Sequence, residues 1–245
     1  MVMTIDAGNT TVSWVVFDRG QVVERGACAT ESWVVPAAFL SLKDPDRIHG
    51  IYVASVVPRL DQHLAAACRE VFGRIPVFLD HHSARGLSFA VDDPTELGAD
   101  RIAACMGALT LFAPPLIIVD SGTATTYDLV DASRVYIGGA IAPGVRLLLK
   151  SLAQNTAKLR EVDFAVPRSD VAKNTRDHIQ FGVYHQFIGG MEHTIGHFRH
   201  IMGPDVRVIG CGGTLGHLPV LPKGIDHYEA DLIHTGLRYL ADGES

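Results

Sequence analysis

No stretch of this chain approaches the roughly 18 uninterrupted apolar residues of a membrane-spanning helix, and its N-terminus enters a strand at once, without the basic and apolar segments of a secretory signal. A cytoplasmic protein with no membrane partner is expected. Positive charge is also scarce: 21 Lys and Arg stand against 27 Asp and Glu, a formal net charge of −6. Without a basic cluster the chain lacks the electrostatic footprint for duplex nucleic acid, and no nucleic-acid partner is expected. Cysteine is sparse. Cys28, Cys68, Cys105 and Cys211 show no C-x-x-C spacing and read as reduced thiols rather than disulfides or zinc ligands. No G-x-x-x-x-G-K-[ST] segment occurs, which excludes a P-loop.

What is present is apolar, and it repeats. With 245 residues, 47% of them hydrophobic, and a mean hydropathy of +0.19, the chain can bury one large core or two modest ones. Twice a short apolar strand runs into an Asp-x-Gly turn and leaves through a β-branched stretch: Met3-Thr4-Ile5-Asp6-Ala7-Gly8-Asn9-Thr10-Thr11, and Ile117-Ile118-Val119-Asp120-Ser121-Gly122-Thr123-Ala124-Thr125-Thr126. Each copy ends a strand on a carboxylate, uses glycine where backbone must approach something closely, and follows with hydroxyls and N–H groups suited to phosphate oxygens. One such turn reads as an ordinary hairpin; two in matching context read as a pair of phosphate-facing turns, whose carboxylates can hold a cation. Histidine is plentiful, at 12 residues. His193, His197 and His200 would share a helix face but lack the H-E-x-x-H order of a zinc helix, so they read as an exposed or interface face, and His81-His82 reads as loop.

Residues 2–7, 11–18 and 21–28 read as strands, followed by a helix over 33–42, a continuous apolar strand over 51–57 ended by Pro58, a helix to about residue 72 and a short strand over 76–79. From residue 116 the pattern restarts, with strands over 116–120, 124–130 and 135–141, a helix after Pro143, a longer helix over 175–201, a strand over 206–210 and a last helix after Tyr228. Two α/β halves with matching openings are what a duplicated nucleotide-binding architecture requires, with a cleft between them as the default site. The expected halves are 1–112 and 113–245. Gly98-Ala99-Asp100-Arg101 opens a small-residue helix that joins them, and on residue chemistry alone Asp100 reads first as a complement to that helix's positive end.

The assembled motifs resemble those of the type III pantothenate kinases, of the acetate and sugar kinase, Hsp70 and actin superfamily. The resemblance covers nearly the whole chain: Ile5-Asp6-Ala7-Gly8-Asn9-Thr10, Ala54-Ser55-Val56-Val57-Pro58, Gly98-Ala99-Asp100-Arg101, Val119 through Thr126, Gly138-Gly139-Ala140-Ile141-Ala142-Pro143-Gly144, Thr156-Ala157-Lys158-Leu159 and Lys173-Asn174-Thr175. The G-A-D-R segment followed by D-x-G-T-A-T-T is its most specific part.

That resemblance implies an α/β fold of duplicated ribonuclease H-like domains with mixed sheets flanked by helices. The activity it implies is ATP-dependent phosphorylation of pantothenate to 4'-phosphopantothenate, the first step of coenzyme A biosynthesis. It implies that Asp6, Ala7, Gly8, Asn9, Thr10, Thr11, Val12 and Ser13 form the ATP phosphate loop, with Thr123 touching ATP. Gly98, Ala99, Asp100, Arg101 and Thr175 would line the pantothenate site. There Asp100 would accept the hydroxyl proton and Arg101 would pair with the carboxylate. Asp120 would bind a monovalent cation, K+ or NH4+, and Asp6 would meet Mg2+ through ATP. The charge argument agrees, because two carboxylates beside a polyphosphate require cations. A homodimer is also implied, with residues 175–201 near the interface. Four departures from the family pattern stand at Ala104, Arg160, Ala172 and Cys211. Ala172 would strain the backbone if its φ were positive, and Cys211 would alter packing on the nucleotide side, where Gly212 and Gly213 suit either close approach of adenosine or a turn.

Overall fold

The computed structural model describes residues 1–32, 39 and 42–243, and the chain divides into two compact units. The first comprises Met1–Ala113, Arg134–Ile137 and Asp231–Ser245; the second comprises Pro114–Ser133 and Gly138–Ala230. Beside the expected halves of 1–112 and 113–245, the first unit runs to Ala113, and the chain then returns to it twice.

In the first unit, β1 (Val2–Ala7), β2 (Thr11–Asp18), β3 (Gln21–Ala29), β4 (Gly50–Ser55) and β5 (Val77–Phe78) form a sheet in the order β3-β2-β1-β4-β5. β1 is antiparallel to β2 and parallel to β4. Side chains alternate across a sheet, so Met3, Ile5 and Ala7 face one way and meet Val12, Trp14 and Val16 of β2 in an apolar core that also takes Leu64, Ala67 and Cys68 of helix α1 (Pro58–Phe72). Thr4 and Asp6 face the other way. The helix expected over 33–42 falls on a stretch of which Phe39 and Leu42 are described, both buried in that core.

The opposite face carries α2 (Ala99–Leu111) and, from the far end of the sequence, α6 (Leu232–Ala241). These two helices touch backbone to backbone. A Cβ on Gly107 would overlap the Leu232 carbonyl oxygen, and one on Gly236 would overlap the Ala103 carbonyl oxygen, so glycine at both positions sets the approach. A short strand, β6 (Ser88–Phe89), pairs in parallel with Val135 and Tyr136.

The second unit repeats the plan. Its strands β7 (Leu116–Ser121), β8 (Ala124–Val130), β9 (Val135–Pro143, whose first residues belong to the first unit), β10 (Arg207–Cys211) and β11 (His227–Tyr228) run in the order β9-β8-β7-β10-β11. β7 is antiparallel to β8 and parallel to β10, as β1 is to β2 and β4. Ile117 and Val119 face a core with Val145 and Leu149 of α3 (Val145–Gln154) and an i, i+4 stripe on α4 (Thr175–Met202): Ile179, Val183, Phe187, Met191 and Ile195. A single turn, α5 (Gly213–Gly216), follows β10. Each unit is thus a ribonuclease H-like α/β module with a mixed sheet and flanking helices, and the expected duplication is present strand for strand.

Candidate active site

Asp6 and Asp120 occupy equivalent places. Each is the fifth residue of the first strand of its unit, and each lies on the face opposite that strand's large apolar core. Asp6 stands across from Ser13 on β2 and Ala54 on β4; Asp120 stands across from Thr126 on β8 and Cys211 on β10.

After Asp6 and the buried Ala7, the chain reverses through a turn in which the Gly8 N–H donates to the Thr11 carbonyl at 3.0 Å. Asn9, Thr10 and Thr11 are exposed at its tip, Val12 is buried, and Ser13 is half-buried. Thr30 holds this turn from behind. Its hydroxyl donates to the Gly8 carbonyl at 2.6 Å and its N–H to the Thr10 carbonyl at 2.9 Å. No motif marked Thr30 in the sequence, because it acts across a hairpin from a position with no pattern of its own.

At the start of α2, the Asp100 side chain folds back over the first turn, where its Oδ1 accepts the Arg101 N–H at 2.7 Å. A Cβ on Gly98 would lie 2.6 Å from that oxygen, which is why the residue before Ala99 has no side chain. Burial raises the pKa of Asp100 above the ordinary aspartate value, and the Arg101 N–H and guanidinium oppose that shift only in part. Capping and proton acceptance are therefore compatible roles for this one carboxyl. Arg101 Nη2 donates to the hydroxyl of Tyr136 at 2.8 Å, and Tyr136 is 2% exposed. The sequence reading missed Tyr136. It is the lone aromatic between Arg134 and Gly138, but it reaches Arg101 through tertiary structure alone.

In the second unit, the exposed Gly122 and Thr123 form the tip between β7 and β8, closed by the Gly122 N–H to the Ala124 carbonyl at 2.9 Å. The Gly144 N–H, at the start of α3, donates to the Thr123 carbonyl at 3.1 Å and anchors that tip. Gly212 has φ +87 and ψ 151, a region almost closed to other residues. A Cβ there would overlap Asp120 Oδ1 and come within 2.6 Å of the Ser121 carbonyl oxygen. At Gly212 the backbone turns tightly and approaches the Asp120 carboxylate. Cys211 is buried beside it at 2% exposure.

Thr175 is exposed as the first residue of α4, after Asn174, whose side chain accepts the Asp177 N–H at 3.0 Å as a helix cap. A cavity of about 260 Å³ lies next to it, lined in part by Pro167, Arg168, Ala172, Arg176 and Phe181. Among the described residues, those with positive φ other than glycine are Arg19 and Arg134, so Ala172 sits on ordinary backbone and brings no strain.

No group of three or more His, Cys, Asp or Glu among the described residues could hold a metal ion by itself. The donors present, Asp6 in one unit and Asp120 in the other, fit cations that arrive with phosphate oxygens and keep part of their water shell, as magnesium does at nucleotide sites.

Comparison with known proteins identifies the family. A family model described as type III pantothenate kinase matches residues 2–197. A type III pantothenate kinase of Rhodospirillum centenum is 35% identical, covering 98% of this chain and 97% of its own length. That of Bifidobacterium longum subsp. infantis is 33% identical and covers 98% of each. Among solved structures, a Sinorhizobium meliloti protein provisionally named a 2-dehydro-3-deoxygalactonokinase superposes with a TM-score of 0.66 over 100% of this chain and 99% of its own, at 14% identity, a likeness of fold.

Proposed function

The chain belongs to the type III pantothenate kinase family, which phosphorylates pantothenate with ATP and a divalent cation in coenzyme A biosynthesis, and from that membership we propose how its residues divide the work. Asp100 accepts the proton of the pantothenate hydroxyl. The observation that carries this assignment is its carboxyl, half-buried at the mouth of α2 and raised in pKa by that burial. A carboxylate tuned upward is a better proton acceptor at neutral pH than a solvated one. Arg101 pairs with the pantothenate carboxylate, for which its planar fork is suited, and its bond to Tyr136 supports that orientation. Gly98, Ala99 and Thr175 contribute to the same substrate site.

The segment from Asp6 to Ser13 takes the ATP phosphates, and Thr123 contributes from its own turn. Asp6 would hold Mg2+ arriving with ATP, and Asp120 a monovalent cation, K+ or NH4+; these cations would neutralise charge on the phosphates. Phosphoryl transfer passes through a loose transition state that asks for positioning and charge stabilisation rather than covalent help. The turns supply the positioning, and the cations beside them would supply the charge stabilisation.

A homodimer in the cytoplasm completes the reading. No helix among the described residues is long and apolar enough to cross a membrane. In support of the dimer, Gly182, Gly189 and Gly196 recur every seventh residue on α4, each exposed with open space above it, a surface on which another helix can lie close. An ADP-release assay with ATP, Mg2+, K+ and pantothenate tests the reading. Turnover that needs all four supports it; folded protein that releases no ADP as each is varied overturns it.

A further inference from the structure

Helix α6 carries one buried ionisable group that the reaction outlined above does not use. His234 is 6% exposed, with Nδ1 2.9 Å from the Thr4 hydroxyl oxygen and Nε2 3.0 Å from the Ser13 hydroxyl oxygen. The Thr4 hydroxyl has a second neighbour, the Val15 carbonyl oxygen at 3.2 Å. A threonine has one hydroxyl proton, and a carbonyl can only accept. A network in which Thr4 donates to Val15 has the Thr4 oxygen accepting from His234, with the ring proton on Nδ1. Burial lowers the pKa of His234 to about 4, with Asp231 and Arg25 acting on it in opposite directions, so the ring has no second proton at neutral pH. In that network Nε2 accepts, and the donor is the Ser13 hydroxyl.

We propose that His234 is a positioning residue that takes the only hydroxyl proton of Ser13 and so makes Ser13 an acceptor on the face of the sheet that carries Asp6. The inference deepens the assignment of residues 6–13 to ATP and rests on it. Within that segment the exposed threonine hydroxyls can donate to phosphate oxygens, whereas Ser13 cannot while it remains bonded to His234. Its lone pairs suit a donor instead: a water in the shell of the cation that accompanies ATP. A group on the last helix of the first unit thus sets the polarity of a contact at its first hairpin.

Two measurements test this independently of turnover. Imidazole nitrogen NMR of the full-length protein should assign His234 to the tautomer protonated on Nδ1; protonation on Nε2 overturns the proposal. Calorimetric titration of Ser13→Ala should show about fivefold weaker binding of Mg-ATP, the size of one lost hydrogen bond, and unchanged binding of ATP in EDTA. An equal loss with and without magnesium would mean that Ser13 donates to phosphate, and an unchanged affinity for Mg-ATP would mean that it touches neither; either result refutes the proposal. His234→Gln, which can still accept from Ser13, should keep the KM for Mg-ATP near that of the parent, and His234→Leu should raise it with a smaller change in kcat. Should His234→Leu fail to fold, the tautomer and the Ser13→Ala titrations still decide. Wild-type turnover is measured alongside: its absence counts against the kinase reading, whereas its presence with the wrong tautomer counts against His234 alone.

Discussion

Asp100 is held between two tendencies. Burial pushes its pKa up, and the Arg101 N–H and guanidinium pull it down by less. The folded state therefore holds this proton more tightly than the unfolded chain, so the carboxyl favours folding when protonated and subtracts from stability as pH rises through its folded-state value. Asp100→Asn should cut kcat by roughly 10²–10⁴, with ATP affinity little changed and a melting temperature at neutral pH no lower than wild type. A lower melting temperature would mean that the charged form stabilises the fold. The acid limb of kcat/KM should lie above the ordinary aspartate range, because the ionised carboxylate is the active form. Tyr136→Phe removes the acceptor for Arg101 Nη2 and should raise the KM for pantothenate about tenfold while ATP binding stays the same. Gly212→Ala meets both a φ of +87 and the Asp120 carboxylate. It should cost roughly 1–3 kcal/mol of stability and change the response of the rate to K+, read by titrating K+ at saturating ATP.

At the scale of elements, the strands carrying both Asp-x-Gly turns follow from alternation and apolar runs in the sequence, and the observed β1, β2, β7 and β8 match those patterns within a residue. Local chemistry dictates them: a two-residue period, a carboxylate at the strand end and a turn of small polar residues. Thr30, Tyr136 and His234 were not legible, because each acts on a partner brought near by the fold and none sits in a spacing that a ligand requires. The contact between α2 and α6 was hidden for the same reason. Gly107 and Gly236 look like weak points in their helices until the facing carbonyls of Leu232 and Ala103 are seen. Gly107→Ala or Gly236→Ala should destabilise the protein by about 3 kcal/mol, the upper part of the usual range for overpacking. At roughly 2–4 °C per kcal/mol for a chain of this size, the shift is readily seen in a thermal melt, and an unchanged melt would mean that the helices can part without cost.

At the scale of the molecule, the first unit is assembled from three separate stretches of sequence. A fragment ending at Ala113 keeps the hairpin and Asp100 but loses Tyr136 and all of α6. It should show no cooperative unfolding transition in urea, and a sharp transition would mean that Met1–Ala113 folds alone. The backbone contact between α2 and α6 also bears on how the enzyme is made. A ribosome must read through the whole of the second unit before residue 232 emerges, so the helix that packs on Asp100's helix and bonds Ser13 is added only after every other strand and helix described here. A chain interrupted before that point holds Asp100 and the first Asp-x-Gly turn yet lacks their brace.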